Sequence, residues 1–187
     1  MEKKELRQLV KAKKKEVSIE ERKRESHVVF DTIASLEAFK NAKNILLYYS
    51  LPDELPTHDI VNTWAPEKNV FLPRVNGDDL DILKYSPEHM VTSEDFKIEE
   101  PAGNDFVSPS LIDLVIVPAV ALDKHCHRMG RGKGFYDRLL PQCKNAYIIG
   151  VALDCQFFDE IPVEPFDINM CGVVTASHIA FCKAYKQ

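Results

Sequence analysis

The sequence predicts an α/β chain, a single-domain sandwich with a central, mostly parallel sheet flanked by helices. Three observations lead there. Short continuous apolar runs read as strands buried on both faces: Ile45 to Tyr49, Leu114 to Val117, and the stretch from Ala146 to Leu153. Segments of helical period stand before and between them. The chain has 187 residues, 45% hydrophobic and 28% charged, enough for a proper core in one domain. That domain is expected to span 1–187, with residues 1–40 as a helical arm packed on it. No internal repeat, low-complexity tract or linker divides the chain.

The elements follow in order. Residues 2 to 16 read as a charged helix with Leu6, Leu9 and Val10 on one side. Ser18-Ile19-Glu20-Glu21 has the spacing of a capping box. A second helix then runs to about Phe39, with Val29, Ile33 and Leu36 at helical spacing. After the strand at Ile45, Ser50 to Pro56 is a loop and Thr57 caps a short helix carrying Ile60, Val61 and Trp64. Val70-Phe71-Leu72 is a strand stopped by Pro73. Asn76-Gly77 marks a turn, and Leu80, Ile82 and Leu83 continue as another strand. Residues 86 to 110 show few periodic signals and read as irregular. Asp113 to Val117 is the strand feeding a glycine loop, Phe135 to Leu140 begins a helix ended by Pro141, and Val173-Val174-Thr175 is the last strand. This alternation favours a mostly parallel sheet.

Charge and cysteine content narrow the function. The net charge of −5 argues against a general nucleic-acid binder. The charge is uneven: residues 1–24 hold ten Lys and Arg against five Glu, so a basic arm sits on an acidic body. An RNA-associated role for that arm lacks an aromatic-basic motif. Most of its lysines read simply as a solvated helix face. Five cysteines, none in a C-x-x-C pair, suggest neither a zinc site nor a disulfide framework. His125-Cys126-His127 crowds its candidate ligands into consecutive positions, which does not make a metal site. The charged N-terminus is not a secretory signal, and the apolar run Leu114 to Leu122 is too short to span a bilayer. A cytoplasmic monomer without membrane or nucleic-acid partners is the expectation.

The most informative segment is Arg128-Met129-Gly130-Arg131-Gly132-Lys133-Gly134-Phe135-Tyr136-Asp137. Glycines let backbone N–H groups approach an anion, two cations add charge, and a helix start follows. The spacing is neither that of a Walker loop nor of a Rossmann fingerprint. If the loop is extended, Arg131 and Lys133 project the same way, which suits a polyphosphate. Asp137, in the first helical turn, either favours the helix dipole or holds magnesium beside the phosphates.

This run, with Asp123-Lys124-His125 before it, resembles the signature of the 5-formyltetrahydrofolate cyclo-ligase family. Other segments are similar to that family too: Lys3-Lys4-Glu5-Leu6-Arg7, Tyr49 to Thr57, Phe71-Leu72-Pro73-Arg74-Val75, and Ile161 to Asp167. The resemblance implies an ATP- and magnesium-dependent ring closure of 5-formyltetrahydrofolate to 5,10-methenyltetrahydrofolate, through a phosphorylated formyl group. It implies ATP contacts for Lys3, Lys4, Glu5, Leu6, Arg7 and Arg128 to Tyr136. It implies folate contacts for Tyr49, Glu54 and Arg131 to Phe135, and magnesium at Asp137 and Asp167. Arg131 and Lys133 are the implied catalytic cations. The chain departs from the usual pattern at Phe135, where many members have Tyr, at Cys126-His127, and at Met129 in place of Leu. The competing expectation is a nucleotide or sugar-phosphate binding module without ligase activity.

Overall fold

The computed structural model describes residues 1–186. The first two helices are α1 (Lys3–Lys15) and α2 (Ile19–Ala34). Ser18 accepts a hydrogen bond from the Glu21 N–H at 3.1 Å, as its spacing predicts. The reciprocal half of the capping box does not form. The Glu21 carboxylate instead takes two bonds from the Arg24 guanidinium, at 2.5 and 2.9 Å, and such bidentate pairs are strong. The second helix also stops five residues early. Ser35 donates its hydroxyl back to Thr32 O at 2.6 Å, and a separate short helix, α3 (Glu37–Asn41), follows.

Strand β1 (Asn44–Leu46) leads through a loop to α4 (His58–Trp64), then to β2 (Asn69–Asn76) and β3 (Asp79–Lys84). Thr57 stands at the N-cap of α4, where its carbonyl accepts from Val61 N at 2.8 Å, but its side chain makes no capping bond. Its hydroxyl donates to Tyr48 O at 2.6 Å and accepts from Ser50 N at 2.9 Å, so it closes the loop instead. Pro73 does not stop β2. Val70 O accepts from Tyr85 N, and pairs along an antiparallel ladder alternate, so Pro73 lies opposite Ile82 in a pair that needs no N–H. Residues 86–110 are not wholly irregular: β4 (Met90–Thr92) and β5 (Glu99–Pro101) form a small hairpin. Next come β6 (Leu114–Pro118), β7 (Ala121–Asp123), β8 (Arg128–Met129) and α5 (Phe135–Leu139). The chain ends through β9 (Tyr147–Val151), β10 (Phe157–Phe158), β11 (Gly172–Val174) and β12 (Ile179–Phe181).

Seven strands form the central sheet in the order β12-β11-β9-β6-β1-β2-β3. The five inner strands are parallel, and β3 and β12 run antiparallel at the two edges. Ile45, Leu46, Leu47 and Leu114 to Val117 are fully buried, as continuous apolar runs in a covered sheet must be. Val29, Phe30 and Ile33 of α2 and Ile60, Val61 and Trp64 of α4 join the same core cluster. Each such side chain contributes about 1.5–3 kcal/mol of burial. A smaller cluster joins Leu6 and Val10 of α1 to Ala121, Met129 and Ile161. It fixes the basic arm over a second sheet, β10-β7-β8, which the sequence did not announce.

Cys126 and Cys182 are disulfide-bonded, although the cysteine spacing suggested no disulfide framework; their Cα atoms lie 6.2 Å apart. The unforeseen strand β12 is what carries Cys182 back toward Cys126. No helix among the described residues is long and apolar enough to cross a membrane.

Candidate functional site

A cleft of about 1070 Å³ opens at the carboxyl ends of β1, β2 and β6. The chain leaves β1 toward β2 on one side and later places β6 on the other. Ligands in open α/β sheets bind at such a switch point. The glycine loop borders this cleft, but the sequence misjudged its feed: β8 of the small sheet enters it, not β6. The loop is also not extended, because Gly132 holds φ at +102. Gly130 is packed against a charge: a Cβ there would stand 2.9 Å from an Arg128 guanidinium nitrogen. Helix α5 beyond it is five residues long, so it adds less dipole than the sequence suggested.

The cations are distributed around that loop. Arg7 donates from Nε to Gly130 O at 3.1 Å, beneath the loop. Lys3 pairs with Glu164 at 2.6 Å and Asp167 at 2.5 Å, and both carboxylates border the cleft. Burial alone would lower the Lys3 ammonium; Asp167 and Glu164 overcome this and hold it above its usual range. Lys4 and Met129 line the cleft as well. Glu5 does not, since its carboxylate accepts from the Glu2 N–H at 3.0 Å, and Leu6 is core.

Arg128 is buried, donates to Pro118 O at 2.8 Å and stacks on the Tyr136 ring with 5.1 Å to its centroid. Burial pulls its guanidinium below the usual value, while Tyr136, Asp137, Glu54 and Asp167 oppose that. Burial likewise pushes the Tyr136 hydroxyl well up, so it stays protonated. Arg131 donates to Asp53 at 2.7 Å and to Glu54 at 3.2 Å. Two implied site residues, Arg131 and Glu54, are therefore partners. Lys133 makes no ion pair among the described residues and rests over the Phe96 ring at 4.9 Å. Gly134, Phe135 and Asp137 line the cleft, and Tyr49 stacks on His58 at 3.7 Å beside it.

A model of the 5-formyltetrahydrofolate cyclo-ligase family matches residues 1–176. The chain belongs to that family. It is 34% identical over 146 residues to the 5-formyltetrahydrofolate cyclo-ligase of Escherichia coli (strain K12), covering 74% of this chain and 80% of that one. The mouse (Mus musculus) 5-formyltetrahydrofolate cyclo-ligase is 27% identical over 184 residues, with 90% and 91% covered. The solution structure of Aquifex aeolicus 5,10-methenyltetrahydrofolate synthetase superposes with a TM-score of 0.89 at 34% identity, covering 100% of this chain and 96% of that one.

In this cyclo-ligase family member several site neighbours escaped the sequence reading. Asp53 bridges Lys14 (2.5 Å) and Arg131 (2.7 Å). Burial raises its carboxyl, but Lys14 and Arg131 outweigh that and hold it low. Its position beside Glu54 was the available signal. Phe96 sits between β4 and β5, a segment without periodicity, so nothing local marked it. Glu164 lay inside a quoted motif but needed the fold to meet Lys3.

Asp137 and Asp167 border one cleft with the cationic loop, and both act on the Arg128 charge. Among the described residues no group of three or more metal-ligating side chains occurs. Two hard oxygen donors without a closed cage suit magnesium, which takes one or two carboxylates and completes its shell with phosphate and water.

Proposed function

We propose that this chain closes 5-formyltetrahydrofolate to 5,10-methenyltetrahydrofolate at the expense of ATP. The observation that carries the reading is a single cleft in which the cationic loop touches two different walls. On one wall Arg7 reaches Gly130 and Lys3 reaches Asp167. On the other, Arg131 reaches Glu54 and Lys133 reaches Phe96, beside Pro73, Val75 and Leu80. The first wall is polar and charged, fit for a triphosphate. The second is largely apolar with two carboxylates, Glu54 and Glu99, fit for a flat heterocycle bearing N–H donors.

The chemistry needs both. An amide oxygen is a poor leaving group, so the formyl oxygen takes the γ-phosphoryl group and ADP departs. N10 then attacks the activated carbon, loses its proton, and phosphate leaves. Phosphoryl transfer asks mainly for positioning and charge neutralisation. Lys133 is free to turn from Phe96 onto the transferring oxygens. Arg131 releases Glu54 to the pterin, where a carboxylate accepts two parallel N–H bonds, and keeps Asp53. Asp137 and Asp167 would hold magnesium, which neutralises phosphate charge when bound. Tyr136, kept protonated, retains a hydroxyl hydrogen to donate.

The alternative, a nucleotide or sugar-phosphate binding module without ligase activity, leaves no second substrate for the wall on which Glu54 faces the same loop. The test is direct: purified protein, 5-formyltetrahydrofolate, ATP and magnesium, with methenyl absorbance followed in the near ultraviolet. Product that needs ATP is expected; its absence at generous enzyme concentration sinks the reading.

A further inference from the structure

One buried carboxylate outside the cleft has no part in that chemistry. Asp123 ends β7 and is 0% exposed. A carboxylate removed from water persists only where its oxygens are satisfied. Here the donors come from two separate stretches of chain. Oδ1 accepts from His125 N at 2.9 Å and His127 N at 3.0 Å. Oδ2 accepts from His127 Nδ1 at 2.9 Å and from Ile161 N at 3.1 Å.

Three of these bonds shape the turn from Asp123 to His127. Cys126 closes it, donating to Asp123 O at 3.1 Å with φ at +64. The turn delivers the chain into Arg128 and the glycine loop. The fourth bond spans 38 residues to the start of the arm that carries Glu164 and Asp167. The same place is held by the register of β7 and β10, where Asp123 faces Phe158. Links between the two arms through α1 use Arg7 and Lys3, side chains that must exchange partners when phosphates arrive. Asp123 lies behind the cleft and exchanges nothing.

We propose that Asp123 is a positioning residue for the nucleotide half of the cleft. Its carboxylate locks the glycine-loop arm to the 161–167 arm, so that Arg128 and Asp167 face one phosphate chain. The inference rests on reading the cleft as the ATP and folate site.

Asp123→Asn tests it selectively. The amide nitrogen cannot sit opposite the two backbone donors of the turn. It can sit on the Oδ2 side, where His127 Nδ1 accepts in its other tautomer. The turn then survives, and the Ile161 N–H faces a donor. With the full-length protein, KM for ATP should rise about ten- to a hundredfold while KM for 5-formyltetrahydrofolate stays within about twofold, as for supporting groups behind a site. Amide hydrogen exchange across 161–167 should quicken. Equal rises in both KM values, or an unchanged KM for ATP, would overturn the assignment. His127→Gln retains a donor to Oδ2 and should leave the ratio of the two KM values unaltered; an ATP-selective defect there would place the role in the imidazole instead. If Asp123→Asn does not fold, Asp123→Ser is read by the same ratio. Failure of both to fold would make the carboxylate structural only. Turnover by the unaltered protein judges the reading of the cleft; the KM ratio judges Asp123.

Discussion

Lys133→Ala removes a cation that the fold does not use. Lys133 is exposed, forms no ion pair among the described residues, and touches the half-open Phe96 ring at 4.9 Å. An exposed contact of that kind is worth about 0.5–1 kcal/mol. In a chain of 187 residues such a loss lowers the thermal midpoint by about 2–4 °C at most. The catalytic loss should be much larger. A preorganised cation aimed at developing phosphoryl charge supplies about 2.7 kcal/mol or more, a hundredfold or greater effect on turnover. The two measurements are a thermal scan and the ATP-dependent rise in methenyl absorbance. A turnover within about threefold of the unaltered protein would refute the argument, since three kilojoules or so cannot represent that stabilisation. A midpoint shift far beyond the stated range would show that Lys133 has a structural partner instead.

Other outcomes follow from the same geometry. Gly132→Ala forces a side chain into φ +102 with its Cβ 3.4 Å from the Arg7 guanidinium; about 1–3 kcal/mol should be lost in denaturant unfolding, with a higher KM for ATP. Asp137→Asn should shift the magnesium activation curve to higher concentration, and an unaltered titration would remove it from the metal site. Glu25 lies buried in α2, and burial raises its carboxyl above the usual range although the Asp154 N–H, at 2.7 Å, works against this. A raised value means that its contribution to stability is full below about pH 4.3 and lost as pH rises through the folded value. Glu25→Gln, which keeps the acceptor for Asp154 N, should therefore raise the thermal midpoint at pH 7 and not at pH 4.

The glycine loop was legible because its residues adjoin in sequence, and so were its cations. The inner strands were legible because burial on both faces demands unbroken apolar runs, as in Leu114 to Val117. Pro73 misled, because a proline is harmless where the ladder needs no N–H, and only the register with Ile82 reveals that. Thr57 misled for a related reason: its hydroxyl had a nearer use in closing the loop that holds Glu54. The strands β7, β8, β10 and β12 are two or three residues long, too short for any period to mark them.

The sequence by itself determined the α/β class, the cationic, glycine-rich character of Arg128 to Gly134 and the family. Those depend on local pattern and on residues adjacent in the chain. Only the tertiary structure decided the pairings: Arg131 with Asp53 and Glu54, Lys3 with Asp167, and Asp123 with Ile161. Each joins segments dozens of residues apart or more. Which donor meets which carboxylate is set by sheet order and by the seating of α1, and no spacing along one chain encodes that.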